Sequence, residues 1–262
     1  MSLLDHVGMV LLAAGKGTRL GCTDKPKVML DIGGKPMMSY IVSSLESLGV
    51  SSERIMAVVG FQRETIINYF GSRVNYAVQE EQLGTAHAAM VGAAALPETI
   101  ETVCVLQGDD SAFLSPQTLN NFLETHISSG ADLTLMTVVS DDETLGRVIR
   151  DKDGALLDVL EKEEVTKDQE SIPERNTNIF CARKAWILSA FLRMQEIDAI
   201  HEFGIPQFIP LAREDLLRVQ TYRLPDPEEY MGINTKEQCA HADQKMHALV
   251  QSRHSHATQS YS

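Results

Sequence analysis

Apolar residues in this chain come in short unbroken runs, and between them lie stretches with apolar residues at helical spacing. The runs at 7–13, 54–60, 102–106 and 132–139 have the length of strands, and several show no polar alternation, as strands buried on both faces do. Residues 74–79 make a further strand. The intervening segments read as helices. In 36–48 the apolar positions Met37, Ile41, Leu45 and Leu48 share one face, Pro36 opens the first turn and Gly49 stops it. Residues 64–70, the alanine-rich 85–95 and 116–128 continue the series. This alternation predicts an α/β fold, a parallel sheet with helices on both faces, whose ligands gather outside the strand C-termini. The second half is less regular. It offers a hairpin of 147–150 with 156–160, a charged loop at 161–174, strands at 177–181 and 216–222, and helices at 184–194 and 234–250. Trp186 is expected on a buried helix side, and the polar residues 251–262 as a flexible tail.

A chain of 262 residues can bury a sizeable core. Its net charge of −13 argues against non-specific nucleic-acid binding, so any anion site must concentrate positive charge locally. Cys22, Cys104, Cys181 and Cys239 form no C-x-x-C pair and read as reduced thiols, Cys104 in the core. No apolar run approaches the ~20 residues of a membrane span, and the first is too short for a signal-peptide core. A cytoplasmic protein without membrane partners is expected.

Chemistry gathers first at the end of strand 7–13. Leu12, Ala13 and Ala14 lead into Gly15-Lys16-Gly17-Thr18-Arg19, and Lys27 follows a short loop later. Small residues let backbone N–H groups approach an anion, while Arg19 and Lys27 supply the positive charge that a triphosphate requires. A dinucleotide fingerprint is excluded because Leu20 stands where its third glycine belongs, and a P-loop because Val10 and Gly17 break its pattern.

The run Leu12–Arg19 with Pro26-Lys27 resembles the signature of the sugar-1-phosphate nucleotidyltransferases, in particular the uridyltransferase half of bacterial bifunctional N-acetylglucosamine-1-phosphate enzymes. The resemblance extends to about residue 245. It implies a Rossmann-like three-layer fold with a mixed, mainly parallel sheet and a smaller sugar-binding lobe. The expected division is a nucleotidyltransferase domain 1–250, with 1–140 for nucleotide, 141–233 for sugar and 234–250 as the last helix. No hexapeptide repeat of the kind that builds an acetyltransferase half is present in the chain.

Further motifs follow in order. In the run from Gln79 to Ala88, Thr85 and His87 have an ordinary reading as helix cap and helix face. The functional reading pairs the Gln79 amide with a pyrimidine edge and gives the base room at Gly84; the resemblance assigns Gln79, Gly84 and Thr85 to uracil, and His87 stays with the ordinary reading. After strand 102–106 come Gln107-Gly108-Asp109-Asp110, where one aspartate reads as a turn former and the other as a ligand for Mg²⁺. The resemblance makes Asp109 the ligand and places Gly108 at the nucleotide. It also exposes departures: Gln107 replaces an aromatic residue, Asp110-Ser111 an apolar-proline pair, and Asn178 a small residue. Asn234, in Gly232-Ile233-Asn234, reads either as an N-cap or, by resemblance, as the second metal ligand. Gln107, Gly146, Glu161 and Asn176 correspond to sugar contacts, with Glu163 and Glu164 solvated. His241, His247, His254 and His256 lack partners at ligand spacing and read as surface residues.

The expectation is therefore an Mg²⁺-dependent transfer in which UTP and a sugar 1-phosphate, N-acetylglucosamine 1-phosphate by resemblance, give a UDP-sugar and pyrophosphate. Arg19 would steady the β and γ phosphates, and Lys27 the α-phosphate. Rival expectations are glucose 1-phosphate or another sugar phosphate with dTTP or CTP, and a nucleotide-sugar sensor without turnover.

Overall fold

The computed structural model describes residues 4–17, 20, 24–197 and 201–259, so Thr18, Arg19 and Cys22 lie outside the described residues. In chain order the elements are β1 (Val7–Ala13), a small hairpin of β2 (Asp31–Ile32) and β3 (Lys35–Pro36), α1 (Met37–Ser47), β4 (Ile55–Val59), α2 (Arg63–Phe70), β5 (Asn75–Val78), α3 (Thr85–Ala95) and β6 (Thr102–Gln107). Then come α4 (Pro116–Ser129), β7 (Leu133–Val139), the hairpin β8 (Arg147–Arg150) and β9 (Leu156–Leu160), β10 (Glu174–Arg183), α5 (Lys184–Phe191), α6 (Phe208–Glu214), β11 (Val219–Arg223) and α7 (Lys236–Gln259).

The strands order as β11-β7-β10-β6-β1-β4-β5, with β8 and β9 branching from β10. β6, β1, β4 and β5 are mutually parallel, and β11 is parallel to β7. β10 runs antiparallel to both of its neighbours, which makes the sheet mixed. The continuous apolar run of β1 is explained by burial on two faces. Met9, Leu11 and Ala13 join one core with Ile41 and Leu45 of α1 and Phe122 of α4. Val10, Leu12 and Ala14 join the other with Ala89 of α3, Trp186 of α5 and Phe208 of α6. Cys104 and Cys181 are buried register partners on β6 and β10.

Three differences from the sequence pattern have physical reasons. β10 begins at Glu174, earlier than its apolar run, because Glu174 is buried against Arg150 and Arg223. α6 follows a short turn at Ile205–Gln207, in a segment whose proline obscured the helix. α7 continues to Gln259, through residues whose polarity predicted a flexible tail. Its root docks on the β2–β3 hairpin, where Asp243 accepts from Gly33 N at 2.8 Å and Met246 packs beside Ile32 and Ile233.

Candidate active site

The loop after β6, the Lys27 turn and the segment before α7 meet at one point. Lys27 Nζ donates to Asn234 Oδ1 at 3.0 Å and is ion-paired with Asp109. Asp110 Oδ1 lies 3.7 Å from the same ammonium. These three side chains are largely shielded, at 12%, 17% and 14% exposure for Lys27, Asp109 and Asp110. Gly108 brings the loop close to β1: its N–H donates to Leu12 O at 3.0 Å, and a Cβ there would stand 2.7 Å from that oxygen. Asp110 N donates to Asp109 Oδ1 at 2.9 Å, which fixes the rotamer of the first carboxylate. Burial and the Asp109 charge push Asp110 up to about 7, against the opposing pull of Lys27 and the Ile233 N–H. Burial, with Asp110, Asp109 and Asp142 nearby, also raises the Tyr230 phenol.

The two readings of Asn234 separate here. The cap of α7 is a reciprocal pair between Thr235 and Gln238. Gln238 N donates to Thr235 Oγ1 at 3.1 Å and Thr235 N to Gln238 Oε1 at 3.0 Å. Asn234 N also donates to Gln238 Oε1, at 2.7 Å, which leaves the Asn234 side-chain oxygen to Lys27. Two oxygen donors, one carboxylate and one amide, thus already face a single cation. That donor chemistry fits a hard divalent ion completed by phosphate oxygens and water. Among the described residues no group of three or more His, Cys, Asp or Glu offers a second arrangement for a metal.

On the other side of β1 a cavity of about 310 Å³ opens at the ends of β4 and β5, lined by Lys16, Gly60, Phe61, Arg63, Gln79 and Gln82 among others. Ala14 O ties two of these lining residues to the end of β1: it accepts from Gln82 Nε2 at 2.7 Å and Phe61 N at 3.3 Å. Gly15 and Gly17 follow Ala14, Gly17 with φ +66°. Gln79 is buried; its Nε2 donates to Gly84 O at 3.1 Å and contacts His87 Nδ1 at 3.0 Å, leaving Oε1 as the uncommitted polar atom of the amide. Gly84 adopts φ +95° and packs so tightly on Phe203 that a Cβ would lie 2.6 Å from its carbonyl oxygen. Thr85 does not cap α3. Its hydroxyl accepts from Ile205 N at 3.2 Å, and the Ala86 N–H is taken by Phe203 O at 2.8 Å. His87 stacks on Phe191 with ring centroids 5.6 Å apart, and burial lowers its pKa.

The residues matched to sugar contacts form a third group at the ends of β6 and β10. Asn176 N donates to Gly146 O at 2.9 Å, and Asn176 Nδ2 to Asn178 Oδ1 at 2.7 Å. Asn178, at φ +57° where the register of β10 shifts, presents its carbonyl to Gln107 Nε2 at 3.0 Å. Gln107 and Asn178, both read as departures under the resemblance, therefore touch each other. Glu161 follows β9 directly and lies next to Gly146, and its backbone N–H is capped by Glu164 Oε2 at 2.8 Å. Glu164 is exposed as expected, with that capping role added.

The structure brings Lys27, Asp109 and Asn234, each singled out in the sequence, to one point. Sequence reasoning passed over Gly60 and Phe61, which have no motif of their own, and Tyr230, whose place depends on the turn before α7. Arg19 and Thr18 were singled out for phosphate and lie outside the described residues.

The chain belongs to the MobA-like NTP transferase domain family, whose pattern matches residues 9–191. Within that class, its relatives include proteins named bifunctional protein GlmU. The one from Geobacter metallireducens is 36% identical over 242 residues, 91% of this chain and 50% of the relative. That from Desulfotalea psychrophila is 32% identical, covering 92% of this chain and 71% of the relative. The chain thus spans about half the length of most of the curated relatives it matches. The fold is that of a crystal structure from Bacillus anthracis assigned as a glucose-1-phosphate thymidylyltransferase, in complex with a sucrose. It superposes with a TM-score of 0.77 over 92% of this chain and 95% of that one, at 18% identity. Among the described residues no helix is long and apolar enough to cross a membrane.

Proposed function

We propose that the protein is a nucleotidyltransferase that forms a UDP-sugar and pyrophosphate from UTP and a sugar 1-phosphate, N-acetylglucosamine 1-phosphate in the first instance. The observation that carries this reading is the convergence of Asp109 and Asn234 on the Lys27 ammonium, one β-strand away from the cavity at Gln79. An oxygen of the sugar phosphate attacks the α-phosphorus in line. The bond from that phosphorus to the α–β bridging oxygen breaks, and pyrophosphate leaves with the electron pair. No protein nucleophile is required, so catalysis is positioning and charge neutralisation. Lys27 neutralises charge at the α-phosphate, and Arg19 is assigned to the β and γ phosphates. Mg²⁺, held by Asp109 and Asn234, would supply Lewis-acid neutralisation of phosphate oxygens. Gln79 offers Oε1 as an acceptor for a pyrimidine N–H, and Gly84 and Thr85 keep the wall of that cavity in place. Gly146, Glu161, Asn176 and Gln107 face the sugar.

The contact between Gln107 and Asn178 favours a second reading, the same chemistry on a different sugar phosphate, because both residues depart from the family pattern at the sugar end. Pyrophosphate release measured across UTP, dTTP and CTP against N-acetylglucosamine, glucose and other sugar 1-phosphates separates the two. Turnover with another nucleotide and none with UTP overturns the uridyl assignment, and no turnover with any pair overturns the enzyme.

A further inference from the structure

Resting on that reading, we propose that Asp110 is a positioning residue: it ties the segment carrying Asn234 to the end of β6, so that Asn234 stands opposite Asp109. The ordinary reading of one aspartate in the Asp109-Asp110 pair is a simple turn former. The structure gives Asp110 more to do. Its Oδ1 accepts from Ile233 N at 3.1 Å, across 123 residues of sequence. Its own N–H holds Asp109 Oδ1 at 2.9 Å. One residue therefore grips both sides of the Lys27 cluster.

The neighbouring hydrogen bonds sharpen the role. The N–H groups of Asn234 and Thr235 both go to Gln238 Oε1, so α7 fixes that end of the segment. Ile233 is fully buried, and its N–H has Asp110 as its partner. An apolar side chain at 110 would leave that buried N–H unsatisfied or force the segment to rotate in search of another acceptor. Rotation there swings Asn234 Oδ1 away from Lys27 and Asp109. Placement errors of ~1 Å at a site that works by positioning cost on the order of a hundredfold in rate.

A carboxylate is not the only group able to do this. What Ile233 N requires is an acceptor oxygen, which asparagine also carries. The test compares Asp110→Val with Asp110→Asn in the full chain. Amide hydrogen exchange at Ile233 reads the tether directly, and pyrophosphate release with the preferred substrate pair reads its consequence. In Asp110→Val the Ile233 amide should exchange at least tenfold faster than in the parent, and kcat should fall ten- to a hundredfold while KM for the nucleotide stays within about twofold. Asp110→Asn should keep Ile233 protected and lose no more than about threefold in kcat. Unchanged exchange at Ile233 in Asp110→Val overturns the tether. Equal loss of kcat in both variants overturns positioning in favour of a direct charge role. A parent protein inactive with every substrate pair defeats the proposed function instead, and the exchange measurement still decides the tether.

Discussion

Lys27 Nζ sits 3.0 Å from Asn234 Oδ1, joining side chains 207 residues apart, and it shares that position with the Asp109 carboxylate. A single ammonium thus occupies the point on which two oxygen donors converge. It competes there with any divalent ion that the same oxygens would bind. Lys27→Met should abolish most pyrophosphate release, by a hundredfold or more. The same change should tighten Mn²⁺ binding to the nucleotide-free protein, measured by electron paramagnetic resonance of the free ion. Weaker Mn²⁺ binding would mean that the lysine organises the oxygens rather than competing for them.

Gly84 is held at φ +95° with Phe203 O where a methyl group would stand. Gly84→Ala should cost about 1–3 kcal/mol, which for a chain of this size lowers Tm by several degrees. Its nucleotide KM should rise, because Gly84 O anchors the Gln79 amide. A melting curve and KM both unchanged would show that the turn relaxes freely.

His87 accepts from Gln79 Nε2 through Nδ1, an assignment that needs the neutral ring with its proton on Nε2. Burial lowers the His87 pKa from 6.5, so the folded protein favours the neutral form. The unfolded chain binds the proton more readily, and this contribution to stability is present at higher pH and lost as pH falls through the lowered pKa. Protonation also removes the acceptor from Gln79. Nucleotide KM should therefore climb as pH falls through that lowered pKa, and His87→Phe should flatten that part of the profile. A profile identical in the variant would dissociate the histidine from base binding.

Glu174 lies between Thr137 Oγ1 at 2.7 Å, Arg150 Nε at 2.8 Å and Arg223 Nη2 at 3.1 Å. Burial acts to raise its pKa, but Arg150, with Thr137 and Arg223, outweighs it and holds the carboxyl at about 2. The sign is the opposite of a desolvated acid. Stability from this group is complete above the ordinary 4.5 and disappears as pH falls through about 2. Glu174→Gln should cost about 2 kcal/mol near neutral pH, given that Arg223 is partly solvated. Denaturant titrations at pH 7 and pH 2 check this: the gap between parent and variant should shrink in acid.

The first half of the fold was legible because β1, β4, β6 and β7 are buried on both faces and each helix carries its own stop. β6, for example, shows as an unbroken apolar run ending at Gln107. β10 was legible only in part, since its buried charge at Glu174 makes sense solely through Arg150 and Arg223, which are distant in sequence. The same distinction holds at the site. Lys27, Asp109 and Asn234 stand out as motifs, whereas the direction of the Asn234 side chain depended on a cap made by Thr235 and Gln238. The meeting of Gln107 with Asn178 required the backbone of Asn178 to turn into a left-handed conformation, which no pattern along the chain announces.

The antiparallel strand threaded between β6 and β7 has a practical outcome for anyone who would dissect the molecule. A fragment cut after residue 140 would leave those two edges facing a gap, with the ladder partners of both thrown away. Such a piece should stick to its own kind rather than fold, and adding the missing part in trans should restore it only by rebuilding the interior of the sheet.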